Sequence, residues 1–459
     1  MNIYIEIEVV KRELFGKLLL SLELIDKNFT VYLTTRESIN ELAKKNKISP
    51  GIIFLEDANT KKYRIDDYKK LIKNNFVLVS QDEEIGCFDT GKNNDYSNFF
   101  KERFDGINSK AFNYINKFFC WGDFDYSFLK KLNFKTEFIK TGSPRIDLCK
   151  INKNKKKTIL IPLNQRLFWK RGLFERYHIE VMDSFQFDTY ENILKKYFFN
   201  ESRDVIQTYH LIELILKLSK LKNYNIVLRP HPAHDIKKIT SIFSDKKIFK
   251  KIKITDENSL IEEISKSEII IQFGCTSSVE ATLNDKMVIL QQPNDPFLTN
   301  YKKNFLTTLG FSFGDVEKII KFITNKGKNK SKILNQIKLD KKNINKRILT
   351  DGYSYSRIVC ELKKIKIQST NDKSNSDLEF KKIKLKSTIK QKIKKKMLKL
   401  LNQKPLEQNV FEAKFPKFNK SNIEQRLKLI QNQFNINSKF NIDILNDRCL
   451  KIYNKKNNL

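Results

Sequence analysis

The sequence predicts an α/β protein with two successive domains, each built on a parallel sheet. Short apolar runs of strand period alternate with longer helical patterns, and this alternation stops at a lysine/asparagine stretch at 150–157 and then restarts. A chain of 459 residues can give each of two domains a core of its own.

In the first stretch "NIYIEIEV" reads as a strand, "KRELFGKLLLSLELIDKN" as a helix, "TVYLTT" as a strand and "RESINELAKKN" as a helix. "GIIFLED", "IDDYKKLIKNN" and "FVLVSQD" continue the alternation, "FFCWGDFDYSFLKKLNF" adds a strand and a helix, and "TEFIKTGSPRID" closes the unit at a turn rich in Gly and Pro. After the linker come "TILIPLN" (strand), "RDVIQTYHLIELILKLSKL" (long helix), "YNIVLRP" (strand), "SLIEEISKS" (helix), "EIIIQFG" (strand), "SSVEATLND" (helix) and "MVILQQ" (strand). The expected domains are 1–150 and 151–365, with a tail at 366–459. Two such domains are expected to face each other across a cleft, with ligands outside the carboxyl ends of the strands.

The tail changes character. "IQSTNDKSNSD" is polar, and "STIKQKIKKKMLKLLNQK" (387–404) reads as a basic helix with Ile389, Ile393, Met397, Leu400 and Leu401 on one side. Such a helix either lies on an anionic membrane surface or packs its apolar stripe against the protein body. The last ~50 residues read as one or two further helices.

The formal net charge of +35, from 88 Lys+Arg against 53 Asp+Glu, admits nucleic acid, an anionic membrane or a phosphorylated substrate as partner. The accompanying wealth of Lys, Asn, Ile, Phe and Tyr is what an A+T-rich coding sequence produces, so the charge is read first as compositional, and nucleic acid is not the expected partner. Six scattered cysteines without a CxxC read as reduced thiols. The acidic residues of the N-terminal stretch do not fit a signal peptide, and no run approaches ~18 uncharged apolar residues, so a cytoplasmic protein is expected, peripheral at the inner membrane face if 387–404 binds lipid.

Four loops after strands carry residues suited to chemistry. In "RPHP", Pro230 and Pro232 flank His231 and hold the backbone extended, fixing where the imidazole points; Arg229 precedes it, and His234 caps or faces solvent. A histidine so placed donates to a phosphate or acts as acid or base; the plain alternative is a satisfied structural residue. In "FGCTSSVEATLND" (273–285), Gly274, Thr276, Ser277 and Ser278 lead into a helix whose N–H groups suit an anion or an ordinary N-cap, and Glu280 follows in its first turn. "SQDEEIGCF" (80–88) offers Asp82, Glu83 and Glu84, as general base or as a solvated acidic turn. "TGSPRID" (141–147) offers Arg145 to a phosphate, or is an interdomain turn only. Asn164, ending "TILIPLN", joins the candidate phosphate-binding set. No cluster has metal-ligand spacing, so neither metal nor cofactor is expected.

In their order these loops resemble the bacterial surface carbohydrate biosynthesis proteins, glycosyltransferase-like chains of the two-Rossmann-domain GT-B type, over about residues 1–330. "RPHP" and the Ser-Ser loop are also similar to the HP and Ser/Thr motifs of sialyl- and Kdo transferases, which use CMP-activated sugars. The resemblance implies that His231, Ser277 and Ser278 hold the nucleotide phosphate, with Arg145, Asn164, Arg229, Pro232, Gly274, Thr276 and Glu280 around it. It implies too that one of Asp82, Glu83 and Glu84 is the catalytic carboxylate; the family pattern has glycine directly after the acidic pair, whereas here Ile85 separates Glu84 from Gly86. The expected function is metal-independent transfer of an acidic sugar from a CMP donor to a glycan or lipid-linked acceptor in surface polysaccharide or lipopolysaccharide assembly. Its rivals are a UDP-sugar transferase or CDP-polyol phosphotransferase, and a non-catalytic RNA- or lipid-binding protein.

Overall fold

The computed structural model describes residues 1–58, 62–87, 110–132, 134–150, 157–169, 190–245, 247–295, 298, 305–367, 375–383 and 415–455. The chain is α/β and forms two compact units: of the described residues, those within 1–150, 343–383 and 415–455 make unit 1, and those within 157–342 make unit 2. Each has its own sheet of mainly parallel strands.

Unit 1 begins with β1 (Asn2–Glu6), α1 (Val10–Asp26), β2 (Thr30–Thr34), α2 (Arg36–Ala43), β3 (Ile52–Leu55), α3 (Lys62–Lys73) and β4 (Val77–Ser80). It continues with β5 (Lys117–Cys120), α4 (Asp123–Leu129), β6 (Glu137–Lys140) and the short α5 (Pro144–Asp147). β2, β1, β3, β4, β5 and β6 lie side by side and parallel. Ile3, Tyr4 and Ile5 of β1 are fully buried, as expected for a central parallel strand covered on both faces. α1 carries "LLLSLELI" and is apolar almost all round; it is buried because α5, α12 (Ser354–Lys363) and α14 (Lys420–Phe434) all pack on it.

In unit 2, β7 (Thr158–Pro162), α6 (Tyr190–Ser219), β8 (Asn225–Arg229), α7 (Ile236–Ile242), β9 (Ile252–Ile254) and α8 (Leu260–Lys266) are followed by β10 (Ile269–Gln272), α9 (Ser277–Leu283), β11 (Met287–Gln291), β12 (Phe311–Phe313), α10 (Val316–Thr324) and α11 (Lys330–Asn345). The sheet order is β12-β11-β10-β7-β8-β9, parallel throughout. Period-2 alternation splits the core: Ile159, Ile161, Ile269 and Ile271 face Leu211, Leu214 and Leu218 of α6 on one side, while Leu160, Val227, Ile270 and Val288 face Ile264 of α8 and Ala281 of α9 on the other.

The sequence reading and the structure part company at three places. α6 starts thirteen residues before the expected 203, where exposed Phe198 and Phe199 break the amphipathic pattern. The first unit boundary falls at 151, beside the expected 150, but the second falls after 342 and not at 365: residues 343–365 include α12, which packs on α1 in unit 1. The tail ends as one helix, α14, and a hairpin, β13 (Phe440–Asn446) and β14 (Cys449–Asn454), instead of helices alone; β14 pairs antiparallel with β2 and adds two strands to the unit 1 sheet. Unpaired, β2 would leave an edge of open hydrogen-bonding groups, and the hairpin covers it. The expected basic helix at 387–404 has 387–400 and 401–404 outside the described residues. Among the described residues no helix is long and apolar enough to cross a membrane.

Candidate functional site

At the carboxyl end of the unit 1 sheet, the acidic trio after β4 is not a solvated turn. Asp82 and Glu83 are buried, and each of the three carboxylates has its own contact. An Asp82 carboxylate oxygen accepts the Glu84 N–H at 2.9 Å, and Trp121 Nε1 donates to the Asp82 carbonyl at 2.8 Å. Glu83 pairs with Lys17 of α1 at 2.5 Å, with both side chains almost wholly buried. Glu84 pairs with Arg12 at 2.7 Å and keeps 27% side-chain exposure, so of the three it is the one open to a reactant.

α1 supplies what the sequence reading missed. Arg12 also reaches Glu13 at 2.9 Å and Glu56 at 3.2 Å. Glu13 accepts the N–H groups of Glu8 and Val9 and so caps the start of α1. Burial pushes Glu13 up to about 7, and Glu83 adds to this against Arg12 and Lys17. Burial also holds Glu56 well above the usual carboxylate range, helped by Glu13, Glu8 and Glu6. Burial works against the Lys17 ammonium, but Glu83, Glu13 and Glu56 outweigh it and its pKa is raised. Two basic residues five positions apart in "VKRELFGK", Arg12 and Lys17, are the local signal of this cluster.

"TGSPRID" is a docking element. Gly142 has φ +79°, and a Cβ there would lie 2.2 Å from Ser354 Oγ, so both conformation and space demand glycine. Asp147 accepts from Ser354 Oγ at 2.8 Å and from the Tyr355 N–H at 3.1 Å, holding the start of α12. Arg145, expected on a phosphate, is buried with Nη1 3.4 Å from the Glu83 carbonyl, in unit 1 and so not in the unit that carries His231.

Burial pushes the Asp147 carboxyl up to about 6, against the pull of Ser354 and Tyr355. With its folded pKa above its unfolded one, Asp147 favours the fold fully in acid, below about 3.8, and that contribution is lost as pH rises through about 6. Asp147→Asn has no such titration. The melting point of the variant relative to wild type is therefore expected to rise between pH 5 and pH 7.5, by the equivalent of about 1–1.5 kcal/mol; a pH-independent difference would remove the argument.

In unit 2, β8 ends at Arg229 and the turn "RPHP" follows. His231 is exposed; its Nδ1 accepts the Ala233 N–H at 3.1 Å, so the neutral ring carries its proton on Nε2, as a donor. Its ring lies nearly parallel to Trp169 (6.2 Å, 16°), and Arg166 stands 5.4 Å from the Trp169 ring. His234, expected to cap or face solvent, is buried: Nδ1 accepts the His231 N–H at 3.1 Å, and the ring meets Phe168 edge-on. Burial, with His231 beside it, pushes His234 down to about 3, so it stays neutral and keeps the loop's shape at ordinary pH.

The "FGCTSS" loop closes on itself. Ser278 is fully buried and donates to the Cys275 carbonyl at 2.9 Å, and Ser277 Oγ lies 2.5 Å from Cys275 Sγ. Thr276 occupies the N-cap position of α9 without a side-chain cap bond. The N–H group of Gly274, a residue expected at the phosphate, and that of Cys275 both go to Gln272 Oε1. Pro232 and Asn164 are half-buried, the latter at the loop after β7.

What this strand end has in surplus is buried hydrogen-bonding capacity. Asn164 Oδ1, Gln165 Nε2, Arg229 Nη1 and Gln272 Nε2 are inaccessible to solvent and have no partner among the described residues. Burial holds Arg229 below the ordinary guanidinium range, partly offset by Glu263, Asp256, Glu262 and Glu280. Buried polar groups are normally satisfied, and these four atoms stand at the carboxyl ends of β7, β8 and β10, where open parallel sheets offer polar groups to ligands. Gln165 and Gln272 were not anticipated; a glutamine closing the apolar run "EIIIQ" was the available signal.

No family model matches the chain, and no curated protein does. Solved structures resemble it. The UDP-GlcNAc 2-epimerase of Neisseria meningitidis bound to UDP-GlcNAc is 13% identical with a TM-score of 0.46, over 80% of this chain and 100% of that one. A co-structure of MnaA with UDP from S. aureus is 13% identical with a TM-score of 0.46, over 79% and 96%. A glycosyltransferase of Rickettsia africae is 13% identical with a TM-score of 0.39, over 80% and 99%.

Proposed function

We propose that the chain is a glycosyltransferase using a nucleotide-activated sugar, with the nucleotide phosphate held in unit 2 by His231 and Arg229. The observation that carries this reading is the set of buried, unpartnered polar atoms at the carboxyl ends of β7, β8 and β10, beside an exposed histidine whose Nε2 is a donor. A departing phosphate gains negative charge as the glycosidic bond to the donor breaks, and fixed cationic and N–H donors stabilise that charge without a metal. Glu84, half-buried and set by Arg12, is the carboxylate of the trio suited to take a proton from an acceptor hydroxyl. The resemblance of "RPHP" and the Ser-Ser loop favours a CMP-activated acidic sugar and a surface glycan or lipid-linked acceptor; Ser277 and Ser278 support the loop in this account instead of touching the phosphate.

Calorimetric titration with CMP, repeated with CDP and UDP and on His231→Ala, tests the reading. Binding of CMP that weakens about tenfold or more in the variant is expected, the loss of a donor to a charged group being worth about 1.5–3 kcal/mol. UDP or CDP binding in place of CMP would move the donor class, and no nucleotide binding would end the proposal.

A further inference from the structure

The β10–β7 and β7–β8 ladders align three residues in one row. Ile270 pairs with Leu160 and Pro162 with Arg229, so continuing the first ladder by two residues puts Gln272 level with Pro162 and Arg229. All three lie on the same face of the sheet, each two positions beyond a residue of the core that packs against α8 and α9: Ile270, Leu160 and Val227. Two strand spacings separate Gln272 from Arg229, about 10 Å between backbones. The residue between them is a proline, whose ring carries no polar atom for either. The row therefore sets a nitrogen donor on each side of Pro162, Arg229 Nη1 and Gln272 Nε2, both buried and both without a partner among the described residues.

Gln272 is not free to turn. Its Oε1 accepts two N–H groups, from Gly274 and from Cys275 at 2.9 Å, and Gly274 adopts φ +84° so that these two groups converge on one acceptor. A carboxamide held by its oxygen presents its NH2 in a set direction, and donors on the oxygen polarise the amide and strengthen that NH2 as a donor. Placing such a donor in a fully buried position with nothing to accept from it is unfavourable to the fold, and a ligand acceptor would offset that.

We propose that Gln272 is a specificity-determining donor of this site: with Arg229 across Pro162 it clamps an oxyanion of the ligand, and the Gly274 and Cys275 N–H groups act through its carboxamide and not on the ligand directly. The inference rests on the nucleotide reading only for naming the oxyanion as a nucleotide phosphate. It assigns the "FGC" turn a relay role and explains why the last residue of an otherwise apolar strand is a glutamine.

The test uses the full chain labelled with 15N and follows the Gln272 side-chain NH2 signals, identified by their absence in Gln272→Glu. Glutamate keeps an acceptor for both N–H groups but replaces the donor with a negative charge. Addition of CMP, CDP or UDP is expected to shift the Gln272 signals, and calorimetry is expected to show affinity at least tenfold weaker in the variant. Nucleotide binding that leaves the signals unmoved and is equal in both proteins would overturn the role of Gln272 and leave the nucleotide reading standing. Inorganic phosphate moving the signals while no nucleotide binds would do the reverse. Failure of both probes to bind would sink both. Should Gln272→Glu fail to fold, Gln272→Asn identifies the signals and supplies the affinity comparison instead, since it draws the carboxamide back by one methylene without adding a charge.

Discussion

Replacing Lys17 by methionine is expected to destabilise unit 1 by about 3–5 kcal/mol, the largest single effect anticipated for this chain. Lys17 and Glu83 meet at 2.5 Å with side chains 5% and 6% exposed, so removing the ammonium leaves a carboxylate in the interior with its counter-charge gone. Glu13 and Glu56, which Lys17 also stabilises electrostatically, are left facing Glu83 with Arg12 alone to balance them. The stem of Lys17 adds a contact of its own, its ammonium standing 4.9 Å from the Phe54 ring centroid, and methionine retains most of that apolar volume. Trp121 is fully buried in unit 1 and is one of two tryptophans; with Trp169→Phe as background, its fluorescence in urea reports this unit. The double variant Lys17→Met with Glu83→Gln is expected to recover most of the loss, because it removes both charges together. A single variant costing under about 1 kcal/mol would mean that the pair is solvated in solution.

The second large effect separates function from stability. Arg229→Met is expected to weaken nucleotide binding about 10- to 100-fold, as loss of a charge-assisted donor is worth about 1.5–3 kcal/mol. In the absence of ligand the same variant is expected to melt no lower than wild type. Burial already pulls the Arg229 guanidinium below its ordinary range, and its Nη1 has no partner among the described residues, so the cation is held at a cost to the fold. An apolar side chain of similar length removes that cost. Binding sites commonly keep such groups at the expense of stability. The pair of measurements is calorimetric affinity and thermal midpoint without ligand; a variant that loses several degrees and retains affinity would mark Arg229 as a structural residue.

Much of the architecture was legible because parallel strands covered on both faces leave a plain mark. "IIFL", "VLVS", "TILIP" and "IIIQ" are short continuous apolar runs separated by helical patterns, and they became β3, β4, β7 and β10. The terminal hairpin was missed although "FNIDILN" and "CLKIYN" alternate around an Asp-Arg turn; its place is set by pairing with β2, more than 400 residues away in sequence, and no local pattern encodes that partner.

The candidate site divides in the same way. Sequence placed Asp82, Glu83, Glu84, Arg229, His231 and the loop 273–278 at strand ends, because the residue types that follow an apolar run are visible locally. It gave the three carboxylates one shared role, whereas α1 brings Lys17 to Glu83 and Arg12 to Glu84 and separates them. It assigned phosphate contact to Gly274 and the serines, whereas the turn spends those groups on Gln272 and on Cys275. By itself, then, the sequence determined the α/β class, the strand ends and the chemistry available there, since these follow from hydrophobic period and residue type over a few positions. Which polar groups are consumed by neighbours and which stay buried without a partner was decided only by the tertiary structure, because hydrogen bonding is short-ranged in space while the partners come from distant parts of the chain.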